Sequence, residues 1–271
     1  MSEQPQLPDP VIKLVKQDGD VKIHTFISPG AFLANATHII EGPHELVLVD
    51  GQFVVPFAMA FRGYADSLGK PINRLYLSHE HPDHFFGVAA AFADVPIYAL
   101  PETIAFLKAN GEAIRKDRAA VFGPFVPGSV VIPDHVAIPG KEIIDGITFE
   151  VVVHTDAEVQ TQLALKLPDL GIYITQDLIY SGGHVYVHKG IEGWIANLEA
   201  LKASSYELFL PGHGEPADKK EIQANIDYLT KATKIAKESA DVASYKAALL
   251  AAFPDRKVPE IIDIYAPALM A

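Results

Sequence analysis

Between Leu77 and Gly87 the chain reads LSHEHPDHFFG, which places three histidines, a glutamate and an aspartate directly after an apolar run. Titratable side chains at that density are costly to desolvate beside a core unless something compensates them, and a metal ion does so for imidazoles and carboxylates together. His79, His81 and Asp83 are spaced by two. An extended segment turns such residues to one side, whereas a helix splays i and i+2 by about 200°. Pro82 is expected to keep the segment a loop. His84 stands where a helical pattern begins, so its ring can reach a different point, and two adjacent cations suit that geometry better than one.

Three later segments share a form, an apolar run that ends in His or Asp: FEVVVHT with His154, GIYITQD with Asp177, and YELFLPGHG with His213. Each alone reads equally well as a turn or a cap. Together with the first segment they supply five histidines and two aspartates. The chain has no cysteine, which excludes disulfides, thiolate ligands and a cysteine nucleophile, so a metal site must be built from His and carboxylates. Zinc is the expected metal for such donors, with iron or manganese as alternatives.

The elements that must position these residues can be read from patterning. VKIHTFIS, THII and ELVLVD, the last two joined by EGPH, are β-branched runs consistent with antiparallel hairpins. Residues 55–68 have helical spacing, and RLYLS is a compact strand that leads into the histidine segment. HFFGVAAAF predicts a short helix, PIYAL a strand, and residues 101–121 a longer helix with proline at its start. A second strand-rich block follows over HVAIPG, EIIDGITFEVVVHT, QLALKLP and GIYITQ, then a helix over 190–203, the strand ELFLPGHG, and a helical tail interrupted by Pro254 and Pro259. Two β-rich halves, each with its own helices, suit an α/β fold in which two sheets pack face to face with helices outside, a four-layer sandwich. The expected organisation is an amino-terminal arm (1–20), a hydrolase domain (21–217) and a carboxy-terminal helical extension (218–271) packed on that domain.

Composition narrows the function. Hydrophobic residues make up 49% of 271, enough for a sizeable core, and 22 Lys and Arg against 34 Asp and Glu give a formal charge of -12. That balance repels phosphate backbones and anionic lipid, so nucleic acid and membranes are not the expected partners and a small-molecule substrate is. No signal-peptide pattern opens the sequence, and no apolar run reaches the roughly 18 to 20 residues of a membrane span. A cytoplasmic protein is expected, and a homodimer is compatible with the amphipathic tail.

Taken in order, HEHPDH, the later HT, the strand-end Asp and the final GHG resemble the metallo-β-lactamase superfamily of hydrolases. The resemblance runs from Val21 to Glu215. It implies an αββα sandwich with a dinuclear site in the cleft between the sheets: His79, His81 and His154 on one metal, Asp83, His84 and His213 on the other, Asp177 bridging. Asp50, ending ELVLVD, matches an early buried aspartate that supports the ligands. One departure is VVHTDAEVQ, where many members place Pro-Gly before the third histidine. Glu158 there could replace or supplement His154, as a glutamate does in alkylsulfatase-like members.

Two metals lower the pKa of a bridging water and share the developing oxyanion charge, so hydroxide can attack without a serine or cysteine nucleophile. Asp83 or Asp177 can accept the proton. Asp177, where β-lactamases of the superfamily have Cys or Ser, and the lack of a basic arm direct the expectation toward glyoxalase II and lactonase-like hydrolases of esters, lactones or thioesters. Tyr180, three residues after Asp177, corresponds to a lactonase tyrosine near the substrate carbonyl, with an aromatic filler as its other reading. The competing functions are a mononuclear nonhaem iron dioxygenase, against which a full second ligand set argues, a phosphodiester or sulfate ester hydrolase, and a noncatalytic metal-binding scaffold. Lone His24, His38, His44 and His135 have no partner spacing and are expected to be structural. His184, Tyr186 and His188 alternate as a strand would, either lining the pocket or forming an exposed hairpin.

Overall fold

A computed structural model describes residues 7–271. The first sheet runs in sequence order: β1 (Val11–Asp18), β2 (Val21–Ile27), β3 (Ala36–Glu41), β4 (Leu46–Val49), β5 (Ile72–Tyr76), β6 (Ile97–Ala99) and β7 (His135–Val136). β1 to β4 pair antiparallel, as the hairpin signals require, and β4 to β7 pair parallel through helical crossovers. The crossovers are α1 (Val55–Ser67), α2 (Pro82–Ala91) and α3 (Pro101–Phe122). The second sheet is β8 (Gly140–Ile144), β9 (Ile147–Thr155), β10 (Thr161–Leu167), β11 (Ile172–Tyr180) and β12 (Leu208–His213). α4 (Glu192–Ala203) joins β11 to its parallel neighbour β12, and α5 (Lys219–Glu238), α6 (Val242–Ala252) and α7 (Glu260–Met270) complete the chain.

The αββα layering follows from the period of two along each strand. Val47, Val49 and Tyr76 turn inward against Phe149, Val151, Leu163 and Leu165 of the facing sheet. Leu48 and Leu75 turn outward against Phe57, Phe61 and Phe85 under the first three helices. On the far side Tyr173, Leu178 and Phe209 meet Trp194, Ile222 and Tyr245 of the later helices. There are thus three apolar layers, one between the sheets and one under each set of helices.

Two sequence expectations change. The segment expected as an amino-terminal arm contains β1, an edge strand paired with β2; residues 1–6 of that arm lie outside the described residues. Pro82 does not extend the ligand loop but begins α2, where its missing N–H costs nothing, so Asp83 and His84 belong to the helix's first turn. The tail breaks near both prolines, into α6 ending at Ala252 and α7 beginning at Glu260, and α5 to α7 pack on the outer face of the second sheet.

Candidate metal centre

The parallel strands deliver the site at their carboxyl ends, the usual position in open α/β sheets. Asp50 directly follows β4, the His79–His84 segment follows β5, Asp177 lies near the end of β11, and His213 ends β12. Asp50 takes a left-handed backbone, φ 62°, and its carboxylate gathers the loop around it. Oδ1 accepts from the Ser78 N–H at 2.7 Å, while Oδ2 accepts from the Ser78 hydroxyl and from His84 Nδ1, each at 2.7 Å, and from the Gln176 amide. The Ser78 hydroxyl proton is thereby committed to Asp50, so His79 Nδ1 donates to Ser78 Oγ at 2.9 Å. His213 Nδ1 donates to the Leu33 carbonyl at 2.9 Å. Each of these three rings is held by its outer nitrogen, which orients it and aims Nε2 inward at the carboxylates.

The inner atoms form two groups that share one residue. His79, His81, Glu158 and Asp177 bring one ligand atom each within 4.8 Å of one another, and so do Asp83, His84, Asp177 and His213. His81 Nδ1 is 3.2 Å from Glu158 Oε1, His84 Nε2 is 3.2 Å from Asp177 Oδ1, and His213 Nε2 is 3.2 Å from Asp83 Oδ2. Asp177 reaches both groups because β11 is irregular just before it: the pairing with β12 shifts after Ile174, and Gln176 adopts φ 45°. Such a bulge re-aims consecutive side chains, here Gln176 onto Asp50 and Asp177 into the cleft. Gly212 opposite must lack a side chain, since a Cβ there would lie 1.9 Å from Asp177 Oδ1.

His79 Nε2, His84 Nε2, both Glu158 oxygens and Asp177 Oδ1 are buried without a hydrogen-bond partner among the described residues. Buried polar atoms left unpaired cost free energy, and so many converging on one point are the pattern of a ligand set for cations. The charges agree. Burial opposes charging His84, yet Asp177, Asp83 and Asp50 outweigh it and hold its pKa well above the ordinary imidazole range. Burial likewise opposes charge on His213, and Asp177 and Asp83 raise it to about 10. Three carboxylates thus demand positive charge at this spot, and the residues fit two divalent cations.

His154 is a correction to the sequence expectation. Phe149, Val151 and Val153 face inward, so the period of two turns His154 outward toward α4, where its ring nitrogens lie 2.7 Å from Asn197 Oδ1 and 2.6 Å from the Tyr173 hydroxyl. Glu158 occupies the place expected for it. Asp156, at φ 53°, turns the chain, the Asp156 N–H donates to the Gln160 carbonyl at 3.1 Å, and the turn tip carries Glu158 back into the cleft. Tyr180 is fully buried; its hydroxyl donates to Asp177 Oδ2 at 3.0 Å and its ring stacks on His213 at 4.6 Å between centroids. Of the alternating trio, only Tyr186 lines the cavity beside His81, while His184 pairs with the Tyr228 hydroxyl and His188 with the Ala157 carbonyl. The segment is pinned as a loop by the Lys257 N–H donating to the Gly182 carbonyl and the His184 N–H to the Lys257 carbonyl. The four lone histidines have structural partners: His24 with Glu41, His38 with Thr25, His44 with Asp145, His135 with Asp134.

The sequence pattern of the Metallo-beta-lactamase superfamily matches residues 30–213, and the chain belongs to that superfamily. Its fold is shared with a metallo-beta-lactamase from Pontibacter korlensis, at TM-score 0.64 and 16% identity over 81% of this chain and 99% of that one. It is shared too with the metallo-beta-lactamase FIM-1 from Pseudomonas aeruginosa, TM-score 0.62 and 18% identity over 84% and 98% of the respective chains. Among curated proteins the chain is similar to a linear primary-alkylsulfatase of Pseudomonas sp. (strain ATCC 19151), 23% identical over 232 residues. That match takes in 71% of this chain and 44% of the relative, so the chain spans less than half the length of the curated protein it matches. No helix among the described residues is long and apolar enough to cross a membrane.

Proposed function

We propose that this chain is a metal-dependent hydrolase that cleaves an ester, lactone or thioester bond of a small molecule at a dinuclear centre. The observation that carries it is Asp177 shared between two buried donor groups. His79, His81 and Glu158 would hold one cation, Asp83, His84 and His213 the other, with Asp177 common to both, and zinc is the metal these donors suit first. Two such cations supply a water ionised near neutral pH and a counter-charge for the oxyanion that develops on the substrate.

The protein's own part is orientation and proton handling. Asp50, Ser78 and the Leu33 carbonyl keep the three imidazoles pointed inward, and Tyr180 fixes the rotamer of Asp177. Asp83 lines the cavity above the donors and is the carboxylate placed to take the proton and return it to the leaving group. Elemental mass spectrometry on protein purified without added metal, paired with a panel of esters, lactones, thioesters, phosphodiesters, alkyl sulfates and β-lactams, tests the proposal. Near two zinc equivalents with chelator-sensitive ester-type hydrolysis is the expected result. One iron and no hydrolysis would overturn it.

A second reading is favoured by Glu158. The combination of a glutamate in the first donor group with similarity to a linear primary-alkylsulfatase supports a sulfate ester as the bond cleaved. Turnover of an alkyl sulfate above the carboxylic esters of the panel would select it.

A further inference from the structure

The cavity over the donor groups, about 310 Å³, has His81 and Asp83 in its lining and an apolar wall above them. Phe53 stacks beside Phe86 and meets Phe122 edge-on at 5.4 Å between centroids, and Ile264 of α7 lines the same space. Phe122 and Ile264, both in the lining, remain 36% and 45% exposed, so the mouth itself is apolar. An apolar wall leading down to a polar floor selects a ligand with an alkyl or aryl portion.

One cation lines this cavity, Arg118. The chain has five arginines, and Arg62, Arg74, Arg115 and Arg256 each pair with a carboxylate. Arg118 alone pairs with none among the described residues, in a chain of net charge -12. It stands on α3 four residues from Ile114 and from Phe122, and although exposed it lines the cavity, which Lys116 and Asp117 do not. Glu260, also in the lining, is not within ion-pair distance of it. Tyr186 connects the two regions: its ring is 5.4 Å from that of His81, and it lines the same cavity as Arg118. Away from the donor groups Arg118 is the one guanidinium or ammonium in the lining, so an anion held apart from the reacting bond is accepted there.

We propose that Arg118 is a substrate-recognition residue and that the natural substrate is an anionic amphiphile. Its apolar chain lies along Phe53, Phe122 and Ile264, and its carboxylate, sulfonate or sulfate, separate from the bond that breaks, pairs with the guanidinium. The word substrate rests on the hydrolase reading; the binding site rests on the cavity alone.

Calorimetric titration separates the two. Octanesulfonate, which cannot be hydrolysed, and octanol are titrated into the wild type, Arg118→Gln, Arg118→Lys and Lys116→Gln, each as purified and again after chelation. The expected result is tighter binding of the sulfonate than of the alcohol, weakened about tenfold by Arg118→Gln in both metal states and partly kept by Arg118→Lys. Octanol binding and Lys116→Gln should stay within twofold of wild type. Because Arg118 is exposed, a thermal melt of the variants should match wild type and exclude misfolding. The proposal fails if the sulfonate does not bind, binds no better than octanol, or is weakened equally by Arg118→Gln and Lys116→Gln. Sulfonate binding through Arg118 with no hydrolysis of any ester would sink the hydrolase reading and leave an anion-binding pocket.

Discussion

At the scale of single residues the site is a choice between two neighbours, His154 and Glu158, four positions apart. The ordered motif pointed to six other residues that the structure gathers into the two donor groups, because His and Asp at strand ends in that order have few other purposes. The third donor of the first group was not legible from residue type, since imidazole is the commoner ligand. Strand parity held the answer: Phe149, Val151 and Val153 face the other sheet, so His154 cannot, but Val152 is apolar too and hides the alternation. The two residues make opposite predictions. Glu158→Gln should lose about one of two metal equivalents and lower turnover on the order of a hundredfold, while His154→Gln should retain both metals. Elemental analysis of the two purified variants decides it, and metal loss from His154→Gln with retention in Glu158→Gln would reverse the assignment. Tyr180→Phe is the milder companion: it keeps the ring on His213 and frees Asp177 to rotate, so kcat should fall about tenfold with KM little changed.

At the scale of elements, the position of α2 matters most, because its first turn presents Asp83 and His84. Sequence patterning located this helix but began it too late, since proline reads as a breaker as readily as a first helical residue. The helix is clamped to the loop after β4: the Gly51 N–H donates to the His84 carbonyl at 2.8 Å and the Gly87 N–H to the Gln52 carbonyl at 2.9 Å. That approach leaves no room at Gly87, where a Cβ would fall 1.8 Å from the Gly51 carbonyl oxygen. Backbone on both sides of the contact cannot yield as a side chain would. Gly87→Ala should therefore destabilise the fold by about 2 to 4 kcal/mol and, in whatever fraction folds, lower metal occupancy by shifting Asp83 and His84. Chemical denaturation of the metal-free forms measures the first effect, and a midpoint within error of wild type would show that the loop and helix slide apart freely. Gly63, in α1 with nothing within 4 Å of its Cβ position, is the control, and Gly63→Ala should be neutral or stabilising.

At the scale of the whole molecule, stability depends on buried charges remote from the metal centre, and Glu41 is the one whose pH dependence can be signed. Its carboxylate, 3% exposed at the end of β3, receives Lys22 and His24 from β2 and Lys70 from the loop after α1, so it ties a helix to two strands. Burial would raise its pKa, but the hydrogen bond from Lys70, then those from His24 and Lys22, bring it down to about 2 from an ordinary 4.5. A carboxyl whose folded pKa lies below its unfolded one stabilises the fold fully above the unfolded value, and that stabilisation is lost as pH falls from about 4.5 toward 2. The shift corresponds to about 3 kcal/mol, and screening of the part-exposed lysines reduces it to roughly 2. Glu41→Gln should then be less stable than wild type by about that amount at pH 7, with the gap closing below pH 4.5. Taking the difference between two chains with the same metal site cancels the acid sensitivity of the ligands themselves, which both share. Denaturant midpoints of both proteins, measured with chelator from pH 7 to pH 3, test it: a constant gap across that range would mean that Glu41 acts through packing rather than through its charge.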